Sequence, residues 1–281
     1  MFSNAEIGSI NIPSSVTSID SYAFAYCAGL KSITLSSVKT IPQSAFLCCP
    51  DLETVVLSSA EEIGETAFSD CASLKSVKIP SVKFIDNYAF ANCASLTTIG
   101  LPVTLEEIKP CFSGTGIQEI YLNGAETVKF NFAESSIKKV TISKNIVHLE
   151  GSFTGMIGSG PQGKGEDEVS KIEVVFEKDS QVKTFGRTFW YAPIEELILP
   201  RSITRIDANA FNSSTIKKLY LTSESAPTLY GRLSTLAEET GELIIYVPEE
   251  KEELYKYWAS PNWTHYADIM VPYNYRWVDV P

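Results

Sequence analysis

Cysteine recurs at residues 27, 49, 71 and 93, so a single interval of 22 residues is kept three times over. Ala23-Phe24, Ala45-Phe46, Ala67-Phe68 and Ala89-Phe90 keep step with it, as do Ile19, Ile41, Ile63 and Ile85 and then Leu30, Leu52, Leu74 and Leu96. A unit this short cannot bury its own apolar face. Each copy must be sealed by the next, so a fixed period of this length specifies a solenoid.

The unit reads I-x-x-x-A-F-x-x-C-x-x-L-x-x-I-x-L. Its last three apolar positions end in an alternation, the period-2 mark of a short strand. The first apolar residue of each strand falls at Ile7, Leu30, Leu52, Leu74, Leu96, Ile117, Ile137, Val169, Ile194 and Ile216, with one long gap before Val169. About ten repeats follow, wound as a right-handed coil with a parallel sheet on one face. Pro13, Pro80, Pro102 and Pro200 stand directly after strands, where a missing N–H ends the pairing. Val16 and Ile19 mark a second short run on the opposite side. Asp20, Asp86 and Asp207 precede the Ala-Phe segments and are expected to cap one- or two-turn helices there. Phe24, Phe46, Phe68, Phe90, Phe112, Phe132, Phe153, Phe189 and Phe211 form the expected internal column. The solenoid is assigned to residues 1–241 with an inserted loop at about 154–168. Residues 242–281 form a C-terminal cap in which Trp258 and Trp263 cover the last turn.

Ile12-Pro-Ser-Ser-Val-Thr-Ser-Ile-Asp-Ser-Tyr-Ala-Phe-Ala-Tyr-Cys27 and Ile85-Asp-Asn-Tyr-Ala-Phe-Ala-Asn-Cys-Ala-Ser-Leu-Thr-Thr-Ile99 resemble the BspA-type leucine-rich repeat family. Residues 243–263 are similar to the segment that closes many of its members. The repeats from 108 to 190 depart from the pattern, losing the Cys column and the Ala before Phe. The resemblance implies a secreted or cell-surface protein, often held by a lipid anchor at an N-terminus that precedes this chain. It also implies adhesion to extracellular matrix or cell-surface proteins. No binding motif shared across the family can be carried onto particular residues here.

The 281 residues carry a formal charge of −11, concentrated near the C-terminal end in Glu238, Glu239, Glu242, Glu249, Glu250, Glu252 and Glu253. Nucleic acid and anionic membrane surfaces call for the opposite balance. No apolar run reaches the roughly 18 residues of a membrane span, and Met1-Phe-Ser-Asn-Ala-Glu6 lacks the basic start and apolar stretch of a signal peptide. Because Ile7-Gly-Ser-Ile-Asn-Ile12 already reads as the strand half of a repeat, a leading segment with a signal peptide is expected to have been removed or not expressed.

The cysteine column reads as a ladder of small buried hydrophobes with free thiols. Bridged neighbours remain geometrically open, and a row of sulfurs suits tetrahedral zinc poorly. Cys48 and Cys111 stand outside the column. Gly158-Ser-Gly-Pro-Gln-Gly163-Lys164 fits the start of a phosphate-binding loop, but Gly165 occupies the Ser/Thr position and Glu166-Asp167-Glu168 follow, so it is read as coincidence. Only His148 and His265 are available for general base work, and no nucleophile elbow or His-Glu-x-x-His pair occurs. No enzyme activity, cofactor or metal is expected.

Two outward columns run along the strands. One holds Thr34, Val56, Lys78, Gly100, Tyr121, Thr141, Glu173, Ile198 and Tyr220. The other holds Ser32, Thr54, Ser76, Thr98, Glu119, Lys139, Lys171, Glu196 and Lys218. Exposed aromatics among mixed charge mark protein contacts, so Tyr121, Ile198, Tyr220, Lys139 and Lys218 are the expected partner-contact residues. The function expected is a surface or secreted binding module. A structural spacer that presents a missing N-terminal region and a carbohydrate-binding protein are the alternatives.

Overall fold

A computed structural model describes residues 2–153, 171–223, 225–251 and 261–274. The inserted loop at 154–168, Gly158–Lys164 within it, the strand start at Val169 and Trp258 lie outside the described residues. Contacts group the chain into two compact units, one of residues 2–125 and 130–137, the other of 126–129, 138–153 and the described residues from 171 onward. In chain order the first unit holds β1 (Ser32–Leu35), β2 (Thr40–Ile41), β3 (Thr54–Leu57), β4 (Glu62–Ile63), β5 (Ser76–Lys78), β6 (Phe84–Ile85), β7 (Glu107–Ile108) and β8 (Glu119–Leu122). After β9 (Thr127–Asn131), the second holds β10 (Lys139–Ile142), β11 (His148–Ser152), β12 (Glu173–Phe176), β13 (Thr184–Phe185), β14 (Glu196–Ile198), β15 (Arg205–Ile206), β16 (Lys218–Tyr220), β17 (Thr228–Leu229), β18 (Ile244–Pro248) and β19 (Met270–Tyr273).

Most of the described repeats contribute two parallel strands, one to each of two ladders. In the first unit β1, β3 and β5 pair with Ile33, Val55 and Val77 in register. The two-residue strands β2, β4, β6 and β7 form a second ladder, with Ile41, Ile63, Ile85 and Ile108 aligned. The second unit repeats the plan. There β14, β16, β18 and β19 align Leu197, Leu219, Ile245 and Met270, while β11, β13, β15 and β17 align Leu149, Phe185, Ile206 and Leu229. The short run expected from Val16 and Ile19 is therefore a second sheet in later repeats. The first copy does not form it: residues 7–19 adopt no strand, and Ile7, Ile10, Ile12, Val16 and Ile19 stay half-buried. The copy at Leu96–Leu101 also lacks its strand. Gly100 holds the outward position there, and a glycine weakens a ladder by adding backbone entropy and no side chain to pack.

The phenylalanine column is present. In the first unit Phe2, Phe24, Phe46, Phe68 and Phe90 stack with centroids 5.1–5.6 Å apart, and the spacing opens to 6.2 and 6.5 Å at Phe112 and Phe132. In the second unit Phe153, Phe189 and Phe211 stack at 5.9 and 5.4 Å. Phe46 through Phe211 are fully buried along this column, which makes each ring worth about 1.5–3 kcal/mol of apolar transfer.

Around each ring the expected helical turn is replaced by a tight corner. Tyr22 and Tyr26, Ser44 and Cys48, Thr66 and Asp70, and Tyr88 and Asn92 bracket the four rings with φ between 52° and 61°. A left-handed residue on each side of Phe stops a helix from propagating, at about 1–2 kcal/mol for each non-glycine residue. The offsetting gain is a complete allocation of amides. Ala23 and Ala25 donate within the corner, to Asp20 and Tyr22, while Tyr22, Phe24 and Tyr26 donate to Gln43, Ala45 and Leu47 of the next copy. The aspartate expected to cap serves the corner instead: Asp86 accepts from the Asn87 amide at 2.7 Å and pairs with Lys109 at 3.0 Å.

Strand β12 corrects one register. The column entries Glu173 and Lys171 belong to a reading in which Ile172 and Val174 close the repeat. In the structure Val140 and Ile142 face Val174 and Phe176, so Val175 and Glu173 take the two outward places. Ile172-Glu-Val-Val-Phe176 alternates over three apolar positions, and a slip of two residues keeps every side chain on its face. The large Phe176 ring, 1% exposed, fills the core and decides the register.

Of the segment expected to cap the solenoid, residues 242–251 and 261–274 are described, and β18 and β19 continue the sheet of β14 and β16. Trp263 is fully buried and donates its indole N–H to the Pro227 carbonyl at 2.6 Å. Helix α1 (Leu236–Thr240) is capped by Thr235, whose side chain accepts from the Glu238 amide, and ends at Gly241 with φ 74°.

Candidate partner-binding face

The cysteine column does more than fill space. Cys27, Cys49, Cys71 and Cys93 are free and buried, and each thiol donates to the carbonyl of a phenylalanine 25 residues earlier, namely Phe2, Phe24, Phe46 and Phe68, at 3.0–3.2 Å. Burial pushes the Cys93 thiol up to about 12, so it stays a protonated donor. Where the column ends, Thr115 and Ser135 occupy the same place and turn their hydroxyls back to Phe112 and Phe132 of their own corners. Cys111 is equally buried but takes the position that Ala23, Ala45, Ala67 and Ala89 hold in earlier copies. Among the described residues no group of three or more His, Cys, Asp or Glu side chains is placed to hold a metal ion. His148 shares a 2.7 Å hydrogen bond with the Thr184 hydroxyl, and His265 lies 3.9 Å from Glu238.

Of the expected contact residues, Tyr121 lies on β8 of the first unit and is 43% exposed. The other four lie in the second unit. Lys139 on β10 pairs with Glu173 at 3.0 Å. Lys218, Ile198 and Tyr220 share the outward face of the β14–β16–β18–β19 sheet, where Ile198, Tyr220 and Tyr246 are in register along one row and Glu196, Lys218 and Ile244 along the next.

Tyr246 and Tyr273, absent from the sequence reading, complete an aromatic cluster on this face. The Tyr220 and Tyr246 rings are parallel within 9° with centroids 4.4 Å apart, close to the spacing between strands. Tyr273 stands nearly perpendicular to both, at 5.5 and 6.1 Å. Burial raises the Tyr220 hydroxyl to about 12, assisted by the Glu196 carboxylate, so it remains a hydrogen-bond donor at any physiological pH. Charges around the cluster are matched: Lys218 pairs with Glu196 at 3.6 Å, Lys217 with Glu242 at 2.7 Å and Lys171 with Glu195 at 2.9 Å. Exposed pairs of this kind contribute little stability, and exposed Glu249 and Glu250 follow directly after Pro248, which is in register with Tyr273. The missed tyrosines gave one signal, the alternation Ile245-Tyr-Val247, yet Tyr246 follows Tyr220 by 26 residues and so falls off the period.

Among the described residues no helix is long and apolar enough to cross a membrane. None of the curated proteins compared with the chain matches it. Among solved structures, a leucine-rich repeat protein from Bacteroides ovatus is 16% identical over 90% of this chain and 82% of its own, with a TM-score of 0.25. One from Eubacterium ventriosum is 17% identical over 78% and 66%, also at 0.25. A leucine rich cell surface protein from Faecalibacterium prausnitzii is 18% identical over 88% and 77%, at 0.29. The profile of the BspA type leucine rich repeat region matches six copies, over residues 1–110, 39–154 and 169–229. With most of its length matched and its repeats paired through parallel strands, the chain belongs to the BspA-type leucine-rich repeat family.

Proposed function

We propose that this chain is a non-enzymatic binding module, secreted or displayed at a cell surface, which holds a partner protein on the outward face of β14, β16, β18 and β19. The observation that carries the reading is the Tyr220–Tyr246–Tyr273 cluster on a strand surface where polar residues would be the soluble choice. Tyrosine is among the residue types that dominate binding energy at protein interfaces. A sugar platform calls for an aromatic face open to solvent. Here the stacked pair lies along the row of strands, so each ring covers the other's face. The extracellular setting and an adhesive role rest on the family.

The test is a binding screen of the whole chain against purified extracellular-matrix proteins and purified polysaccharides, repeated with Tyr220→Ala/Tyr246→Ala. Saturable binding to a protein, weakened at least tenfold by the double substitution, is expected. A protein partner indifferent to the substitution, binding to polysaccharides alone, or no saturable binding at all would overturn the reading.

A further inference from the structure

The corner that carries Phe189 holds a side chain the repeat does not require. Directly after the ring, earlier copies carry Ala25, Leu47, Ser69 and Ala91, whereas this copy carries Trp190. The Trp190 indole N–H is buried and meets no acceptor, and an unpaired buried donor is unfavourable. Two neighbours fix the indole: Tyr191 stacks on it with centroids 5.3 Å apart, and the Arg187 guanidinium lies over the ring at 5.6 Å. A guanidinium on an aromatic face keeps its in-plane donors free, and among the described residues no carboxylate pairs with Arg187. Arg187, Trp190, Asn209 and Asn212 line a pocket of about 150 Å³. Its amide acceptors are taken, since Asn209 Oδ1 accepts from Asn212 at 3.3 Å and Asn212 Oδ1 accepts from Ser213 at 2.7 Å. What is left over is donors and one positive charge.

We infer that the Arg187–Trp190–Asn209–Asn212 pocket binds a singly charged oxyanion, a carboxylate or sulfate ester on a short stem. Such a group accepts and does not donate, which matches a lining whose own acceptors are engaged. The unpaired guanidinium selects an anion over a neutral carbonyl, and its fork meets two oxygens at once. An acceptor brought to the indole also recovers what the unpaired N–H costs the free protein. One negative charge is the match: the chain as a whole carries −11, so a second would find no cation in the pocket to oppose it. An apolar cavity of this volume takes benzene, so the anion and a short stem fit. None of Tyr220, Tyr246 and Tyr273 lines the pocket, so this inference and the protein-binding reading can each fail alone.

The probes are propionate, methyl sulfate and the neutral propionamide, titrated at constant ionic strength and neutral pH into the whole chain and followed by NMR of the indole and arginine side-chain N–H groups. Trp190→Phe assigns the Trp190 signal among the four tryptophans, and unchanged signals from the other three show that the variants fold. A saturable downfield shift of the Trp190 indole proton with an anion, and none with propionamide, is expected. The tighter of the two anions tells a carboxylate source from a sulfated one. Arg187→Gln keeps side-chain donors but removes the charge, and should weaken binding about tenfold or more. Trp190→Phe keeps a ring beneath the guanidinium and strips the indole donor; it should weaken binding about threefold to tenfold, read at the Arg187 Nε proton. Arg232→Gln, at an exposed arginine outside the pocket, should change nothing. The inference is overturned if neither anion gives a saturable shift, if propionamide binds as well as they do, or if Arg187→Gln binds as the parent does.

Discussion

Replacing Cys71 by alanine separates two roles that a buried cysteine can play. The Cys71 side chain is fully buried, and its sulfur lies 3.2 Å from the Phe46 carbonyl, which receives no other donor among the described residues. Removing the sulfur costs about 1 kcal/mol of apolar burial. It also leaves a buried carbonyl unpaired, at about 1–3 kcal/mol, with the lower end appropriate because S–H is a weak donor. The total is about 2–3 kcal/mol. Cys111→Ala is the internal control, since that residue is only 1% exposed in the same unit yet stands where four earlier copies already carry alanine. Its cost should be the burial alone, about 1 kcal/mol. Cys71→Ser should not restore the loss, because the Ser135 hydroxyl at the equivalent place turns to its own corner at 2.6 Å. All four tryptophans lie beyond residue 189, so their fluorescence does not report on this unit. Hydrogen exchange by mass spectrometry over residues 40–100, in reducing buffer, gives the opening free energy directly. Equal losses for Cys71→Ala and Cys111→Ala would show that the thiols are apolar filler and no more, whereas a serine variant as stable as the parent would show that any donor at this place can serve the Phe46 carbonyl.

Glu61 lies between Lys39 at 2.8 Å and Lys83 at 2.9 Å, whose hydrogen bonds and charges lower its pKa from 4.5 to about 2. A depressed folded-state pKa stabilises above the unfolded value and is lost as pH falls through the folded one. The urea midpoints of the parent and of Glu61→Gln should therefore converge between pH 4.5 and 2, and a constant gap would exclude the linkage. Tyr88 is 40% exposed and holds φ 57°, so Tyr88→Asn should raise stability by about 0.5–1 kcal/mol in urea unfolding, and a loss would show that the ring itself supports the corner. Trp263→Phe keeps the buried ring but strips the donor from the Pro227 carbonyl; it should cost about 1–3 kcal/mol, against about 3–5 for Trp263→Ala, measured by tryptophan-independent circular dichroism.

The inward residues were readable because each apolar column is set twice, once by alternation along a strand and once by recurrence every 22 residues. Ile41, Ile63 and Ile85, or Phe46, Phe68 and Phe90, satisfy both. Reading failed where one constraint was silent. At Ile172–Phe176 alternation alone permits two registers, and the inserted residues removed the period that would have chosen between them. The corners failed for another reason: tyrosine, threonine and serine carry no preference for a left-handed backbone, so Tyr22, Thr66 and Ser44 gave no sign of φ > 0, whereas aspartate before Ala-Phe imitates a helix cap. The thiol bonds were hidden because a cysteine packed as a hydrophobe and one packed as a donor look alike in one letter. Tyr220 and Ile198 could be placed by counting, but Tyr246 and Tyr273 belong to the same face only because strands 26 and more residues apart return to the sheet.

A solenoid confines variation to one kind of site. Inward side chains stack against their counterparts in neighbouring copies, so a change at one is felt in the copies beside it. The paired strands and the corner amides have their hydrogen bonds spent on neighbours, which leaves backbone recognition to exposed edges. Specificity must then come from outward side chains on adjacent strands, about 4.8 Å apart. At that spacing small residues such as Thr34 and Thr54 cannot build an anchor, whereas aromatic rings can touch across rows, as Tyr220 and Tyr246 do at 4.4 Å. Stacked rings stiffen each other before a ligand arrives, which lowers the ordering entropy lost on binding. The same regularity that seals the core thus stacks tyrosines into one rigid outward cluster, the surface on which the proposed partner would rest, and it does so only where consecutive strands carry them.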